Sequence, residues 1–231
     1  IVSIAQPAFL FKNLFIRVDL LRKDKNSLTI YEVKSKSWGY EGVDDQEFRV
    51  FIKEYKRGLN KGKRVIDPNW KFYMYDIAFQ RYVVKNLFPE MEVKTNLVLA
   101  DKLTKTSTDG LNQFFKIENK EGRKSVKVKD DLHISELGRL PLKTVNVDQV
   151  CDFIESQETQ GKSFENYINH LSNIYKKNIR EWKSIDHDCF KCQYRNDSIF
   201  GLKSGFHECF ANSEFKIDKE SKLVERLWKG T

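Results

Sequence analysis

The stretch that decides the fold is 15–34, which reads FIRVDLLRKDKNSLTIYEVK. Two apolar runs flank a polar turn, KDKNS, as in an antiparallel β-hairpin. With the turn centred on 25–26, Asp19 falls opposite Glu32, and facing residues of such a pair have Cβ atoms about 4.5–5.5 Å apart. Side chains alternate along a strand, so Glu32 and Lys34 share one face. The pattern therefore predicts two carboxylates and one ammonium in one small patch.

This patch suits the hydrolysis of phosphodiester bonds with a divalent cation. Mg²⁺ takes oxygen ligands and keeps several waters, so Asp19 and Glu32 could hold it and leave positions for a phosphate oxygen and a water. The metal would polarise the phosphoryl group and lower the pKa of its bound water. Lys34 would orient or deprotonate that water, or neutralise the developing charge. We expect the pKa of Lys34 to be lowered, because the metal and Arg17 place like charges beside it.

The tripeptide Glu-x-Lys decides nothing by itself in a chain with 32% charged residues. It recurs elsewhere, for example at Glu54 and at Glu92. What distinguishes Glu32 and Lys34 is a partner strand that carries an acid, Asp19, at the matching register. Glu92 instead follows a helical pattern, with no acid on an adjoining upstream strand. The alternative for the first tripeptide is an ordinary charged strand end.

These residues resemble the PD-(D/E)XK nuclease superfamily, in its RecB-like exonuclease branch, and are similar to the CRISPR-associated and AddB-type members that carry an iron–sulfur cluster. The matching stretches are IRVDLL with Asp19, YEVKSKSW with Glu32 and Lys34, YDIAFQRYVV with Gln80, and the cysteine-rich end, DCFKCQYR to HECF. The resemblance implies a restriction-endonuclease-like α/β fold with a mixed central β-sheet. It implies that Asp19 and Glu32 bind Mg²⁺ or Mn²⁺, that Lys34 is catalytic, and that Gln80 contacts the DNA or the active site.

The same resemblance implies an exonuclease that acts on DNA with free ends, often single strands. For Gln80 the alternative is a surface glutamine. The sequence departs from the family pattern in three places. Val84 stands where the Gln motif has its tyrosine, no histidine precedes His133, and the first cluster cysteine is missing. Because the chain opens at Ile1 in a strand-like segment, we expect an incomplete copy of the domain that lacks its N-terminal helix.

The chain has four cysteines, Cys151, Cys189, Cys192 and Cys209. Cys189 and Cys192 have the two-residue spacing that lets two thiolates bind one metal. The resemblance implies that these two and Cys209 are ligands of a [4Fe–4S] cluster in the complete protein. A zinc site that adds His187 or His207 is the alternative. Cys151 falls in a helical pattern, where a lone cysteine is more often a small core residue.

The charge balance favours a polyanionic partner. Lys and Arg number 41 against 33 acidic residues, for a formal net charge of +8. Basic clusters at 53–64 and 120–129 could flank a DNA groove; the alternatives are a solvated helix face and a hairpin turn, respectively. The sequence shows no secretory signal and no run of about 18 apolar residues. It therefore predicts no membrane segment and a cytoplasmic protein.

The coarse pattern predicts one large domain, because 231 residues suffice for a sizeable core. Strands are predicted at 1–5, 8–11, 14–21, 28–35, 91–100 and 113–118, with the last two forming a pair. Helices are predicted from Asp44 or Asp45 through Tyr55, and at 67–87, 147–157 and 161–182. Strands that are hairpin-linked and also separated by helices predict a mixed sheet flanked by helices. We assign 1–182 to the nuclease core and 183–231 to a cysteine-containing segment that packs on the same domain.

Two other functions stay open at this stage. A non-cleaving nucleic-acid-binding module of the same fold would bind DNA with strong salt dependence and no hydrolysis. A metal-stapled interaction domain would depend on its cysteines and not on its hairpin. The joint presence of Asp19, Glu32 and Lys34 favours the nuclease, because a non-cleaving copy has no reason to keep all three.

Overall fold

The computed structural model describes residues 1–40, 47–120, 122–181, 189, 192–196 and 201–211. They divide into two compact units between Ser172 and Asn173, earlier in the chain than the boundary at residue 182 that the sequence suggested. In the part of the chain that is described, no helix is long and apolar enough to span a membrane.

The strands, in chain order, are β1 (Val2–Ala5), β2 (Ala8–Phe11), β3 (Leu14–Arg17), β4 (Leu20–Asp24), β5 (Ser27–Trp38), β6 (Ile52–Glu54), β7 (Arg64–Ile66), β8 (Glu92–Asp101), β9 (Phe115–Lys120), β10 (Arg123–Val128) and β11 (Leu142–Asn146). The helices are α1 (Glu47–Phe51), α2 (Lys71–Leu87), α3 (Asp148–Ser156), α4 (Phe164–Lys176) and α5 (Gly205–Ala211). Five strands form the central sheet in the order β1-β4-β5-β8-β11. Strands β5 and β8 are parallel and the other neighbouring pairs are antiparallel. The predicted α/β class with a mixed central sheet flanked by helices is confirmed.

The core of the first unit lies where α2 and α3 pack on the central sheet. Alternate residues of β5 and β8 are buried, as expected for strands with one covered face. Helix α2 contacts both strands, and α3 contacts β8 and α2. Ile30 of β5 and Leu97 of β8 are completely buried in this cluster. Because α2 covers the face of β5 that carries Ile30, it also lies over Glu32 and Lys34, the next residues on that face.

The hairpin predicted at 15–34 is formed by β4 and β5. Its register pairs Leu20 with Tyr31, which places Asp19 and Glu32 at the next opposed positions. The two-residue turn is Lys25–Asn26, and its first residue has φ of 47°, as a tight hairpin turn requires. The register predicted from the sequence is therefore confirmed.

The strand predicted at 14–21 is in fact two strands, β3 and β4, in two different sheets. Strand β3 pairs with β2, whereas β4 pairs with β1 and β5. The Gln6 amide donates to the Asp19 carbonyl at 2.9 Å, and the Val18 amide donates to the Pro7 carbonyl at 3.0 Å. These hydrogen bonds hold the chain where it passes between the sheets. Asp19 consequently sits in a bend directly before β4.

Two further predictions about local structure were wrong. The helix expected through Tyr55 ends at Phe51, and the chain continues into the β6–β7 hairpin, because Gly58 and Gly62 take positive φ and let the chain turn back. The expected cap at residues 44–45 lies outside the described residues. The strand pair expected within 91–118 does not form either. Strand β8 lies between β5 and β11 in the sheet, while β9 pairs with its neighbour β10.

Two predicted helices are shorter than expected. Helix α2 begins at Lys71 because the preceding residues form a turn in which the Asn69 amide donates to the Asp67 carboxylate at 2.8 Å. Helix α4 ends at Lys176, and the backbone of Asn178 then takes a positive φ of 50°. The helix predicted at 147–157 is confirmed as α3.

The second unit contains α5 and the described segments before it. Phe206 and Phe210 of α5 are buried, and the Arg195 guanidinium lies over the Phe206 ring at 4.8 Å. Arg180 forms an ion pair with Glu208. These contacts tie the start of the unit and residue 195 to α5.

Candidate functional site

The face of β5 that carries Glu32 and Lys34 lies against α2. The pairing of β5 with β8 is regular through Val33, but the register has shifted at Ser37, so three residues of β5 oppose the single residue Leu99. Lys34 is the first of those three. Such bulges bend a strand and re-aim its side chains, and they are common beside functional sites. Here the bulge begins at the position predicted to be catalytic.

The side chains of Glu32, Lys34, Asp76 and Gln80 form one hydrogen-bonded group, hereafter the Glu32 cluster. Lys34 Nζ donates to Glu32 Oε1 at 2.6 Å and to Asp76 Oδ2 at 2.8 Å. Gln80 Nε2 donates to Glu32 Oε2 at 2.9 Å and to Asp76 Oδ1 at 3.2 Å. Every carboxylate oxygen of the two acids therefore accepts a hydrogen bond from Lys34 or Gln80.

The cluster is buried at one end and open to solvent at the other. Glu32 and Gln80 are each 5% exposed, whereas the side chain of Asp76 is 43% exposed. Gln80 is therefore not a surface glutamine. A substrate could approach from the side of Asp76 and Lys34, since those side chains reach the solvent.

Asp76 belongs to the cluster, although the sequence analysis missed it. It lies one turn before Gln80 on α2, and residues four apart in a helix share a face. The signal was present in YDIAFQ, where an acid precedes the glutamine by four residues. It could have been used only with the knowledge that this face of α2 covers β5.

Asp19 accepts a backbone hydrogen bond at the end of the β4–β5 hairpin, next to the strand residues of the cluster. Its Oδ2 accepts a hydrogen bond from the Val33 backbone amide at 2.8 Å. The β4–β5 ladder stops at Leu20 and Tyr31, so the carboxylate takes the place of the next backbone acceptor. Asp19 is thereby held at the end of the ladder, directly before the residue that pairs with Tyr31.

The pKa of Lys34 is raised by its partners in the chain, and the expectation of an easily deprotonated amine beside a bound metal stays a prediction. Burial lowers this pKa, but hydrogen bonds from Lys34 to Asp76 and Glu32, together with their negative charges, outweigh that effect. That expectation counted the charges of the metal and of Arg17 and did not include Asp76. The residues of the chain hold Lys34 as an ammonium at neutral pH.

The pKa of Glu32 is also raised from its usual 4.5. Burial is the largest cause, and the charge of Asp76 adds to it, while the hydrogen bonds from Lys34 and Gln80 oppose it. Burial disfavours the charged form of a carboxyl group. Proton binding at Glu32 is thus coupled to the packing of α2 over β5.

This raised pKa predicts a pH dependence of stability. A carboxyl group whose folded pKa exceeds the unfolded value of 4.5 stabilises the fold fully below that value and loses this contribution as pH rises through the folded pKa. We expect the unfolding free energy of the wild type to fall relative to that of Glu32→Gln over this interval. Urea unfolding at successive pH values measures the difference. Parallel stability curves for the two proteins would contradict the prediction.

The donor atoms of the cluster fit a hard divalent cation. Mg²⁺ and Mn²⁺ take carboxylate and amide oxygens and use one or two carboxylates together with waters and substrate phosphates. Glu32 and Asp76 offer carboxylates, and Asp19 adds one from the neighbouring position. Gln80 Oε1 is buried and has no hydrogen-bond partner among the described residues. That orphaned oxygen can only accept, so a cation or a water bound there would satisfy it. Within the described ranges, no three His, Cys, Asp or Glu side chains converge closely enough to form a metal site by themselves.

A second Glu-x-Lys tripeptide, on the adjacent strand β8, lacks the buried surroundings of the Glu32 cluster. Lys94 Nζ lies 3.1 Å from Glu92 Oε2, and both side chains are largely exposed. No glutamine or second acid is recorded in contact with that pair among the described residues. The same tripeptide on β8 thus forms a simple surface ion pair, a kind that contributes little to stability.

Val84, the residue at the tyrosine position of the motif that the chain resembles, is part of the core. Val84 is completely buried. Tyr82 packs edge-on against Phe11 and Phe164, with ring centroids 6.5 and 6.0 Å apart. Neither residue is recorded in contact with the Glu32 cluster within the described part of the chain.

Cys151 belongs to the core of the first unit, as the sequence predicted. It is completely buried on α3 and lies 3.5 Å from the Thr95 hydroxyl. Burial raises the pKa of its thiol to about 11, so the neutral thiol dominates. A buried neutral thiol of this kind is a packing group and not a metal ligand.

The other three cysteines lie in the second unit. The Cys192 amide donates to the Cys189 carbonyl at 3.2 Å, so these two residues belong to one turn. Cys209 lies on α5 and is half-buried, and His207 is on the same helix. His187 lies outside the described residues. None of the cysteines forms a disulfide, and their role as ligands stays a prediction.

Comparison of the chain with protein-family models, with curated protein sequences and with solved structures returns no match.

Proposed function

We propose that the Glu32 cluster hydrolyses phosphodiester bonds of DNA with the help of Mg²⁺ or Mn²⁺, in a restriction-endonuclease-like domain that acts on DNA ends. The observation that carries the proposal is the buried carboxylate of Glu32, held between Lys34 and Gln80. These are three of the residues that the family resemblance marks as functional, and hydrogen bonds of 2.6 and 2.9 Å join them.

Asp19 and Glu32 are the residues that would hold the cation, with Asp76 at the open side of the cluster. A bound divalent cation supplies a Lewis acid for the phosphoryl group and a water of lowered pKa. Gln80 fixes the carboxylate of Glu32, because it donates to Oε2 from a buried position. The Val33 amide fixes Asp19 in the same way.

Lys34 acts as a positive charge in this proposal and not as a base. Its raised pKa keeps the amine protonated, and an ammonium can stabilise the negative charge that develops on the phosphoryl oxygens. It could also orient the attacking water through a hydrogen bond. Both roles require that Lys34 exchange one of its carboxylate partners for the substrate.

The charge of the chain supports a nucleic-acid substrate. A formal net charge of +8 attracts a polyanion over long distances. Preference for free ends or single strands comes from the family resemblance alone and is the part of the proposal that the following experiment decides.

The experiment compares end-labelled linear single-stranded DNA, linear duplex DNA and closed circles, each incubated with Mg²⁺, Mn²⁺ or EDTA. We expect loss of the linear substrates in either cation, intact circles and no reaction in EDTA. Cleavage of closed circles would show that the protein cuts internally, as an endonuclease, and does not require DNA ends. Intact DNA in every reaction, from a protein shown to be folded by circular dichroism, would contradict the proposed activity.

A non-cleaving nucleic-acid-binding module is the second candidate, and one observation favours it. Lys34 occupies the space between Glu32 and Asp76, so the charges of the cluster already neutralise one another in part. A site of this kind could stabilise the fold without any reaction. DNA binding with strong salt dependence and no cleavage in any cation would support this candidate.

We also propose that Cys189, Cys192 and Cys209 bind a metal centre, either a [4Fe–4S] cluster or zinc. The turn that joins Cys189 to Cys192 has the spacing such centres use. Anaerobic purification followed by assays of iron, sulfide and zinc provides the test. We expect one of the two metals, and a Cys192→Ala variant should lose it. Absence of all three elements from the wild type would exclude the centre.

A further inference from the structure

The β6–β7 hairpin, residues 52–66, concentrates positive charge at its tip. Between residues 53 and 64 the sequence KEYKRGLNKGKR contains six basic side chains and one acid, Glu54. Four of the basic side chains are exposed and form no ion pair with the described residues: Lys56, Arg57, Lys61 and Lys63. The other two are engaged, since Lys53 pairs with Asp67 at 2.8 Å and Arg64 lies over the Phe153 ring.

The tip of this hairpin is an ordered loop. The Tyr55 amide donates to the Lys63 carbonyl at 3.0 Å, and the Gly62 amide donates to the Tyr55 carbonyl at 2.8 Å. A further turn is closed by the Lys61 amide and the Gly58 carbonyl at 3.1 Å. Hydrogen bonds therefore hold the backbone from which the lysines of the tip project, which lowers the cost of ordering the loop when a ligand binds.

The base of the hairpin is packed on the aromatic cluster at the start of α2. The Asp67 amide donates to the Phe51 carbonyl at 2.7 Å, and the ring centroids of Phe51 and Trp70 are 5.0 Å apart. Lys36 Nζ in turn lies 4.7 Å from the Trp70 ring centroid. The hairpin is thereby attached to the face of β5 that carries the Glu32 cluster.

A row of cations leads from the Glu32 cluster toward this base. Lys34 Nζ and Lys36 Nζ each lie 5.7 Å from the ring centroid of Tyr73. The two lysines are two residues apart on one strand, which corresponds to a rise of about 6.6 Å. Lys36 thus places a positive charge between the Glu32 cluster and the aromatic cluster at the base of the basic hairpin, within the same compact unit.

We infer that the β6–β7 hairpin binds the phosphate backbone of the nucleic acid whose scissile phosphate lies at the Glu32 cluster. A polyanion with evenly spaced charges matches a row of exposed cations, and lysines that neutralise phosphates bind without reading sequence. The inference rests on the proposed function for the identity of the partner. It goes further, because it assigns binding of the phosphate backbone to a hairpin whose residues the sequence analysis described as either a flank of a DNA groove or a solvated helix face.

The test compares two variants with equal charge loss. One replaces Lys56, Lys61 and Lys63 of the hairpin tip with glutamine, and the control replaces three exposed lysines outside both basic clusters, Lys23, Lys25 and Lys105. Affinity for a fluorescein-labelled single-stranded oligonucleotide is measured by anisotropy in EDTA, where no cleavage occurs, at several salt concentrations. For three phosphate contacts to a single strand, the slope of log K against log salt should weaken by about 2 in the hairpin variant. The control variant should keep the wild-type slope.

An unchanged affinity and slope for the hairpin variant would overturn the inference, and so would an equal loss in both variants, since net charge alone would then explain binding. Thermal melting shows that both variants fold. The outcome is separable from that of the proposed function. If the wild type cleaves DNA and the hairpin variant binds normally, the proposed activity stands and the proposed role of the hairpin is wrong. If the protein binds DNA through the hairpin but does not cleave it in any cation, the hairpin binds nucleic acid and the proposed activity is wrong.

Discussion

Replacing Lys34 with alanine is expected to lower the rate of DNA hydrolysis by about 10²–10⁴-fold, the range found when a charge-stabilising or proton-transferring group is removed from an active site. Lys34 is the only group in the Glu32 cluster that carries a positive charge, and it bonds both carboxylates. Single-turnover cleavage of an end-labelled oligonucleotide in Mn²⁺ measures the effect. Binding of the same oligonucleotide in EDTA should change much less, because one contact among several is lost.

The matched control is Lys94→Ala. Lys94 is also the last residue of a Glu-x-Lys, on the strand adjacent to β5, but it forms an exposed ion pair with Glu92. Its loss removes the same charge and the same side chain, and we expect cleavage within about twofold of the wild type because surface pairs contribute little. Equal activity of Lys34→Ala and the wild type would exclude the proposed role of Lys34.

Replacing Trp70 with alanine is expected to lower the free energy of unfolding by about 3–5 kcal/mol, the usual cost of removing a large buried aromatic ring. Trp70 is 2% exposed and lies between Trp38 of β5 and Phe51 of α1. A loss of this size is a large share of the roughly 5–15 kcal/mol that stabilises a domain. Urea unfolding followed by circular dichroism gives the value.

Phe72→Ala is the control for this prediction. Phe72 is an aromatic residue two positions after Trp70, in the first turn of α2, but it is 83% exposed, and substitutions at such positions usually change stability by less than about 0.5 kcal/mol. Similar losses for Trp70→Ala and Phe72→Ala would contradict the packing of α2 described above. A Trp70→Phe variant should recover part of the loss, since it keeps an aromatic ring in the cluster.

The sequence predicted the hairpin that carries the site because local signals determine it. The turn residues and the alternation of apolar positions fix the register of β4 and β5, and with it the opposition of Asp19 and Glu32. The same signals could not show that the chain breaks at Asp19, since the break depends on β1 and β2, which come from another part of the sequence.

Asp76 and the protonation of Lys34 could not be predicted from the hairpin, because both depend on where α2 lies. A helix pattern shows which residues share a face, but not which strand that face covers. Once α2 is placed over β5, a second carboxylate reaches Lys34 and raises its pKa. The predicted pairing partner of β8 was wrong for the same reason, because its antiparallel partner in the structure, β11, lies more than 40 residues later in the sequence.

The most direct test of a cation-dependent site at Glu32 is a cleavage time course that starts in Mn²⁺, continues after EDTA is added and ends with Mn²⁺ restored in excess. Wild type and Glu32→Gln are followed side by side on an end-labelled linear strand. We predict that the wild type cleaves, stops in EDTA and resumes, and that Glu32→Gln, which keeps the shape of the side chain, leaves the strand intact throughout. Cleavage that continues in EDTA, or that proceeds equally in the variant, would contradict the proposed site.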